Sequence, residues 1–375
     1  MNANAQGLAA LSPDYVRRIM PYVPGKAIGE LAREYGLDES RIVKLASNEN
    51  PRGPSPKVRA AIAAAAADVT RYPDGNGFAL KQALAARFDV GLEQIVLGNG
   101  SNDILELATQ AFLRPGDHAV YSQHAFAVYP LATQARGAHG IEVPARDLGH
   151  DLAAMRGALT RETRIVFVAN PNNPTGTWLP PADVAGFVAS VPRDVLVVLD
   201  EAYNEYLEAG QQANSAAWIA GYPNLIVSRT FSKAYGLAGL RVGYGIADAA
   251  VADMMNRVRQ PFNVNSVAQA AALAALADSA YVAESARLNF AGLAQLMRGL
   301  DAVGVAYVRS HGNFLLVRVA AAGDGAGSVY EALLRAGVIV RPVANYGLPD
   351  HVRVTVGLPE ENARFLAALA AALGR

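Results

Sequence analysis

The stretch EQIVLGNGSNDILELATQAFL, Glu93–Leu113, changes its hydrophobic period partway along. It opens on a short β-rich apolar run, crosses a loop of glycine, asparagine and serine, and continues with apolar residues at helical spacing. That order reads as a strand, a tight turn and the start of a helix, the repeating unit of an α/β fold. The same alternation extends both ways. SPKVRAAIAAAAADV and FALKQALAARF upstream read as helices, the first with Ser55 as N-cap and Pro56 at the first helical position. Downstream lie the short runs HAVYS, TRIVFVAN, DVLVVLD, NLIVSRT and LRVGYGIA, separated by helical patterns or polar loops. Near-continuous Val/Ile/Leu runs belong to strands buried on both faces, so the expected fold class is α/β, with a mostly parallel central sheet sandwiched by helices.

After Ala249 the chain turns strongly helical. The short runs VAYVRS, NFLLVRVA and HVRVTVG then bracket the helix SVYEALLRAG, and PEENARFLAALAAALG closes the chain. This reads as a smaller α+β domain. The expected division is a large α/β domain over residues 48–285 and a small domain built from both termini, 1–47 and 286–375, with the boundary inside the long helix. A chain of 375 residues is long enough for two packed units.

Lys plus Arg and Asp plus Glu both number 33, so no net charge draws a polyanion, and nucleic-acid binding is set aside. The absence of cysteine removes disulfides, thiolate metal sites and a cysteine nucleophile together, and fits a reducing compartment, the cytoplasm. No secretory signal or membrane helix is expected from the alanine-rich, interrupted apolar runs. The six histidines, His118, His124 and His311 among them, lack metal-ligand spacing, and no metal is expected. Trp178 and Trp218 read as packing residues.

The chemistry concentrates in SRTFSKAYGLAGLRVGY, Ser228–Tyr244, where Lys233 follows two hydroxyl residues and precedes three glycines and an arginine. A lysine amine does covalent chemistry with a carbonyl, and pyridoxal phosphate is the aldehyde cofactor that most often exploits it. Such a cofactor asks for a phosphate cradle, a carboxylate at its ring nitrogen and donors at its phenolic oxygen. Gly100, Ser101 and Asn102 at a helix start offer the cradle, and Thr230, Ser232 and Arg241 add hydroxyls and a fixed positive charge. Asp200, closing DVLVVLD, offers the carboxylate, and Asn173 and Tyr203 the donors. Singly, each is an ordinary loop feature. Their arrival at the ends of consecutive strands of one sheet joins them into a site.

The blocks NPNNPTG (Asn170–Gly176), LDEAYNEY (Leu199–Tyr206) and SKAYGLAGLRVGY (Ser232–Tyr244) resemble the signature blocks of fold-type-I pyridoxal-phosphate aminotransferases. NENPRGPSP (Asn48–Pro56), RYPD (Arg71–Asp74) and VRVTVG (Val352–Gly357) narrow the resemblance to histidinol-phosphate aminotransferases, over nearly the whole chain. The resemblance implies that Lys233 is the Schiff-base lysine and Asp200 the partner of the ring nitrogen. It gives Asn173 and Tyr203 to the phenolic oxygen, and Arg241, Ser232 and the Gly100–Asn102 loop to the phosphate. Tyr72 would reach the cofactor phosphate of a neighbouring subunit, which implies a homodimer. Arg353 would pair with the substrate α-carboxylate, Tyr22 and Arg341 are candidates for the substrate's own phosphate, and Asn48 is expected near the entrance. Phe126 stands where many relatives carry a tyrosine stacked on the cofactor ring. RPVANYGLPDH, from Arg341, departs from the commoner family wording.

By the same resemblance the substrates are a small-molecule amino donor and a 2-oxo acid: histidinol phosphate with 2-oxoglutarate, in histidine biosynthesis. The alternatives are an aromatic or prephenate-type aminotransferase and a phosphothreonine-type decarboxylase. A non-catalytic cofactor-binding regulator would need a basic DNA-binding segment, for which this chain has neither the length nor the charge.

Overall fold

A computed structural model describes residues 7–320 and 325–375. Seven strands make the central sheet: β1 (Ile95–Gly98), β2 (His118–Ser122), β3 (His139–Val143), β4 (Thr163–Ala169), β5 (Leu196–Asp200), β6 (Leu225–Thr230) and β7 (Gly243–Ile246). They lie in the order β1-β7-β6-β5-β4-β2-β3, and of these strands only β7 runs antiparallel to its neighbours. Period-two alternation sends Val166, Val168, Val197 and Leu199 into one apolar cluster and Ile165, Phe167, Leu196 and Val198 into another. Helices Pro56–Ala66 and Phe78–Phe88 cover the first cluster, and Ser101–Phe112 with Val128–Gln134 covers the second. With both faces dry, the strands show apolar runs instead of polar–apolar alternation. The Ser55 hydroxyl accepts a hydrogen bond from the Val58 N–H, capping its helix as the sequence suggests.

β3 was not legible in the sequence. HGIEV forms the sheet edge, with only Val143 fully buried, and such an edge carries no apolar run to betray it.

The C-terminal region forms a four-stranded antiparallel sheet of β8 (Tyr307–Val308), β9 (Phe314–Arg318), β10 (Arg341–Pro342) and β11 (His351–Thr355), in the order β10-β11-β9-β8. Its core gathers Leu315, Val317, Val352 and Val354 with Leu293, Leu296, Leu333 and Phe365 from three helices, and with Leu45 from the N-terminal stretch. Val43–Lys44 pairs in parallel with Val338–Ile339, which fastens that stretch to the C-terminal unit. No single helix among the described residues is long and apolar enough to cross a membrane.

Strand register sets the working edge. Ala169, Asp200 and Ser228 are lateral neighbours, and Thr230 pairs with Gly243, so the carboxyl ends of β4, β5 and β6 lie side by side. β1 delivers the Ser101–Phe112 helix start to the same edge. The Ala46–Asn50 stretch reaches it from the other unit, where Thr355 Oγ1 accepts from the Asn48 N–H at 2.9 Å.

Candidate active site

A cavity of about 350 Å3 opens at this edge and is lined by every sequence-proposed site residue except Gly100 and Tyr72. At its floor the Lys233 Nζ donates to the Ser47 carbonyl at 3.1 Å. Burial, with Arg353 and Arg241 adding like charge, pushes the Lys233 amine down to about 8. The Asp200 carboxylate, 6% exposed, accepts from the Tyr129 Oη at 2.9 Å and from the Ala202 N–H at 3.2 Å. Burial pushes it up to about 6 even so. No ion pair neutralises it among the described residues.

Tyr203 Oη accepts from Asn48 Nδ2 at 2.8 Å, and its ring meets Phe314 edge-on at 5.2 Å. Burial pushes the phenol up to about 12, so it keeps a proton to donate into the cavity. Asn48 lines the cavity from behind Tyr203; it is 1% exposed, tied to Thr355 and Asn313, and has a left-handed backbone (φ 55°). Asn173 Oδ1 accepts from Arg353 Nη1 at 2.5 Å. That bond fixes the amide orientation and leaves the NH2 group as the free donor.

The anion cradle is a close backbone arrangement. Gly100 takes φ 79° as N-cap of Ser101–Phe112, and no side chain caps the helix, so its first N–H groups remain available. A Cβ on Gly243 would lie 2.5 Å from Gly100 C and Ser101 N, so β7 passes the helix start only as glycine. Arg241, two residues before β7, donates to the carbonyls of Ala238 and Asn99 and has no carboxylate partner among the described residues. Thr230 Oγ1 donates to Ser232 Oγ at 2.9 Å.

On the opposite wall, Arg341 and Arg353 face each other directly across β10 and β11, and both are 6% exposed. Opposed side chains on antiparallel strands have Cβ atoms about 5 Å apart, where like charges repel. Neither guanidinium has a carboxylate partner among the described residues. Arg341 donates to Val23 O and lies over the Tyr22 ring at 5.2 Å. Arg353 donates to Ala46 O and Asn173, and its Nε has no partner. Two buried, un-neutralised cations side by side suit a polyanionic ligand. Phe126 lines the cavity next to Tyr129. Tyr72 is 82% exposed and stacks on Phe262 at 4.7 Å, away from the cavity of its own chain.

The sequence reading missed Tyr129 and the Ser47 carbonyl. Tyr129 follows Phe126 by three residues, one helical turn, and that spacing is the signal that both face the same way.

The family model for aminotransferase class I and II matches residues 40–369. The chain is 61% identical to histidinol-phosphate aminotransferase 2 of Ralstonia nicotianae over 97% of each chain. It is 60% identical to histidinol-phosphate aminotransferase 1 of Cupriavidus pinatubonensis over 98% of each. Among solved structures, the histidinol-phosphate aminotransferase of Sinorhizobium meliloti in complex with pyridoxal-5'-phosphate superposes with a TM-score of 0.88 at 30% identity, covering 96% of this chain and 97% of that one. The aspartate aminotransferase of Thermus thermophilus with maleate superposes at 0.83 and 25% identity over 100% of both chains.

Proposed function

The chain belongs to the class I and II aminotransferases, and from that premise we propose that it interconverts histidinol phosphate plus 2-oxoglutarate and imidazole acetol phosphate plus glutamate, a step of histidine biosynthesis. The observation that carries the substrate reading is the opposed Arg341–Arg353 pair, since the amino donor and the 2-oxo acid are both anions.

The residues at the sheet edge fit pyridoxal 5'-phosphate. Asp200 presents a buried carboxylate with no ion-pair partner among the described residues, and the uncapped helix start with Arg241, Ser232 and Thr230 presents donors with no carboxylate partner among them. Asp200 would hold the protonated ring nitrogen, Asn173 and Tyr203 the phenolic oxygen, and Gly100, Ser101, Asn102, Thr230, Ser232 and Arg241 the phosphate, with Phe126 against the ring. When bound, this group supplies an aldehyde carbon for the amine and a ring that draws electrons from the substrate Cα–H bond. The chain does the rest. Lys233, its amine near 8, is a neutral base in about a tenth of molecules at pH 7, far more than an ordinary lysine, and takes the α-proton, returning it on the far side of the exchange. Asp200 keeps its charge against the ring nitrogen, and Arg353 holds the substrate anion so that the Cα–H bond faces Lys233.

The discriminating measurement is kcat/KM for histidinol phosphate, phenylalanine and tyrosine as donors. A site that pairs two guanidiniums with a phosphate is expected to prefer the phosphorylated amine by about 10²-fold or more, because the aromatic donors leave one charge unmet. Equal use would turn the reading towards the aromatic aminotransferases.

The chain acts as a homodimer in this reading, with Tyr72 completing the partner's phosphate cradle. Support comes from the exposed Tyr72–Phe262 stack, which holds Tyr72 outside the cavity of its own chain. Mixing Tyr72→Ala and Lys233→Met proteins, each poorly active, is expected to restore activity, because one site of each mixed dimer then carries neither defect. A monomer in sedimentation, or no restoration after subunit exchange, would remove the idea. A cytoplasmic location completes the reading, and recovery in a membrane or periplasmic fraction would count against it.

A further inference from the structure

We propose that Tyr129 is a positioning residue for Asp200: its hydroxyl aims that carboxylate and keeps it ionised, and so sets how strongly the site prefers a protonated pyridine ring to an uncharged ring of the same shape. The inference rests on the cofactor reading above.

The local sequence AFAVY folds so that the Tyr129 N–H donates to the Phe126 carbonyl at 3.0 Å, which brings both aromatic rings to the cavity wall. The Tyr129 ring has no freedom there. It stacks on Phe167 of β4 with centroids 4.6 Å apart and planes within 5°, meets Phe126 edge-on at 5.9 Å, and is fully buried. A ring clamped on two sides delivers its hydroxyl to one point, 2.9 Å from Asp200 Oδ2. The Ala202 N–H occupies Oδ1, so the two donors fix the plane of the carboxylate from opposite ends.

The charge around Asp200 makes this hydroxyl consequential. Burial favours the neutral acid, and Glu201, the next residue, adds like charge. Glu201 is itself tied to Arg229, by Nε at 2.9 Å and Nη2 at 2.6 Å, on the other side of the strand end. Against these, Tyr129, the Ala202 N–H and the Lys233 amine favour the anion. Lys233 is the one of the three that the reaction takes away, since its amine is engaged in chemistry when the site is loaded. Burial and the neighbouring carboxylate hold the Tyr129 phenol far above its ordinary range, so it remains a donor throughout. A neutral Asp200 could offer a ring nitrogen a hydrogen bond but no opposite charge.

A purely structural role, a buried hydroxyl that merely needs an acceptor, predicts a different result. The test measures equilibrium binding of pyridoxal 5'-phosphate and of its analogue with carbon in place of the ring nitrogen, to the wild type, Tyr129→Phe, Asp200→Asn and the double variant. Tyr129→Phe is expected to weaken the natural cofactor about tenfold and leave the analogue unchanged, the loss expected for a charge-assisted hydrogen bond. In the Asp200→Asn background the same substitution is expected to cost nothing further. Equal losses for both ligands, no loss for either, or a full tenfold loss persisting without the Asp200 charge would each overturn the proposal. A wild type that binds both ligands alike would overturn the pairing of Asp200 with the ring nitrogen, and this proposal with it; a specific loss in Tyr129→Phe alone leaves that pairing intact.

Discussion

Replacing Lys233 by methionine is expected to lower transaminase turnover by about 10⁴-fold or more, because it removes a positioned general base and the covalent attachment at once. Methionine keeps an unbranched apolar stem, so the walls of the cavity stay filled and the loss reports the amine. The second readout is stability of the protein freed of cofactor. The folded amine sits at about 8 against an ordinary 10.5, and a lysine held below its unfolded value costs stability whenever the unfolded chain holds the proton and the fold does not welcome it. That cost is full below pH 8 and vanishes above pH 10.5. The methionine variant is therefore expected to be the more stable protein at pH 7, by up to about 3 kcal/mol from the difference of 10.5 and 8 at 1.36 kcal/mol per unit, with the advantage fading between pH 8 and 10.5. Denaturant melts across that range check it. Turnover within tenfold of wild type would end the assignment of Lys233, and a variant less stable than wild type at pH 7 would show that the amine is not strained.

What could be read in advance follows from how local each feature is. Lys233, Asp200, Asn173 and Arg241 lie in contiguous blocks at strand ends, and a doubly covered parallel sheet brings strand ends together whatever the details of packing. The spacing from Phe126 signals only that Tyr129 faces the same way; its meeting with Asp200 depends on how the Val128–Gln134 helix docks across β4, a matter of side-chain packing between segments 71 residues apart. How Asn48 meets the cavity was hidden for a related reason: its sequence block is recognisable, but its left-handed backbone and the bond from its amide to Tyr203 belong to the folded chain. The edge strand β3 and the two-residue pairings that fasten the N-terminal stretch carry too few apolar residues for any period to emerge. The two arginines stood as separate candidates in the sequence. Their opposition is created by the antiparallel register of β10 and β11.

That opposition leads to the second large effect. Arg353→Gln is expected to reduce kcat/KM about 10³-fold for donor and acceptor alike, because truncating one partner of a desolvated charge pair costs about 2–5 kcal/mol. The geometry makes the loss common to both substrates. Arg353 is anchored at Asn173 and Ala46, and its Nε meets no protein group among the described residues, so it faces in turn the donor's phosphate and the α-carboxylate of glutamate or 2-oxoglutarate. Losing Arg353 also frees the Asn173 amide to rotate, which compounds the effect on the phenolic-oxygen donor. Arg341 behaves differently. Its Nη2 is tied to Val23 and its guanidinium lies over the Tyr22 ring, so it adds the second positive charge that a phosphate dianion calls for and a single carboxylate does not. Arg341→Gln is accordingly expected to cost histidinol phosphate at least tenfold more than it costs glutamate, while Arg353→Lys, which keeps charge but loses the planar fork, stays close to Arg353→Gln. Equal losses for both donors with Arg341→Gln would show that its charge does not discriminate a phosphate from a carboxylate. Wild-type efficiency with Arg353→Gln would leave the buried pair without the ligand that alone accounts for keeping two like charges face to face.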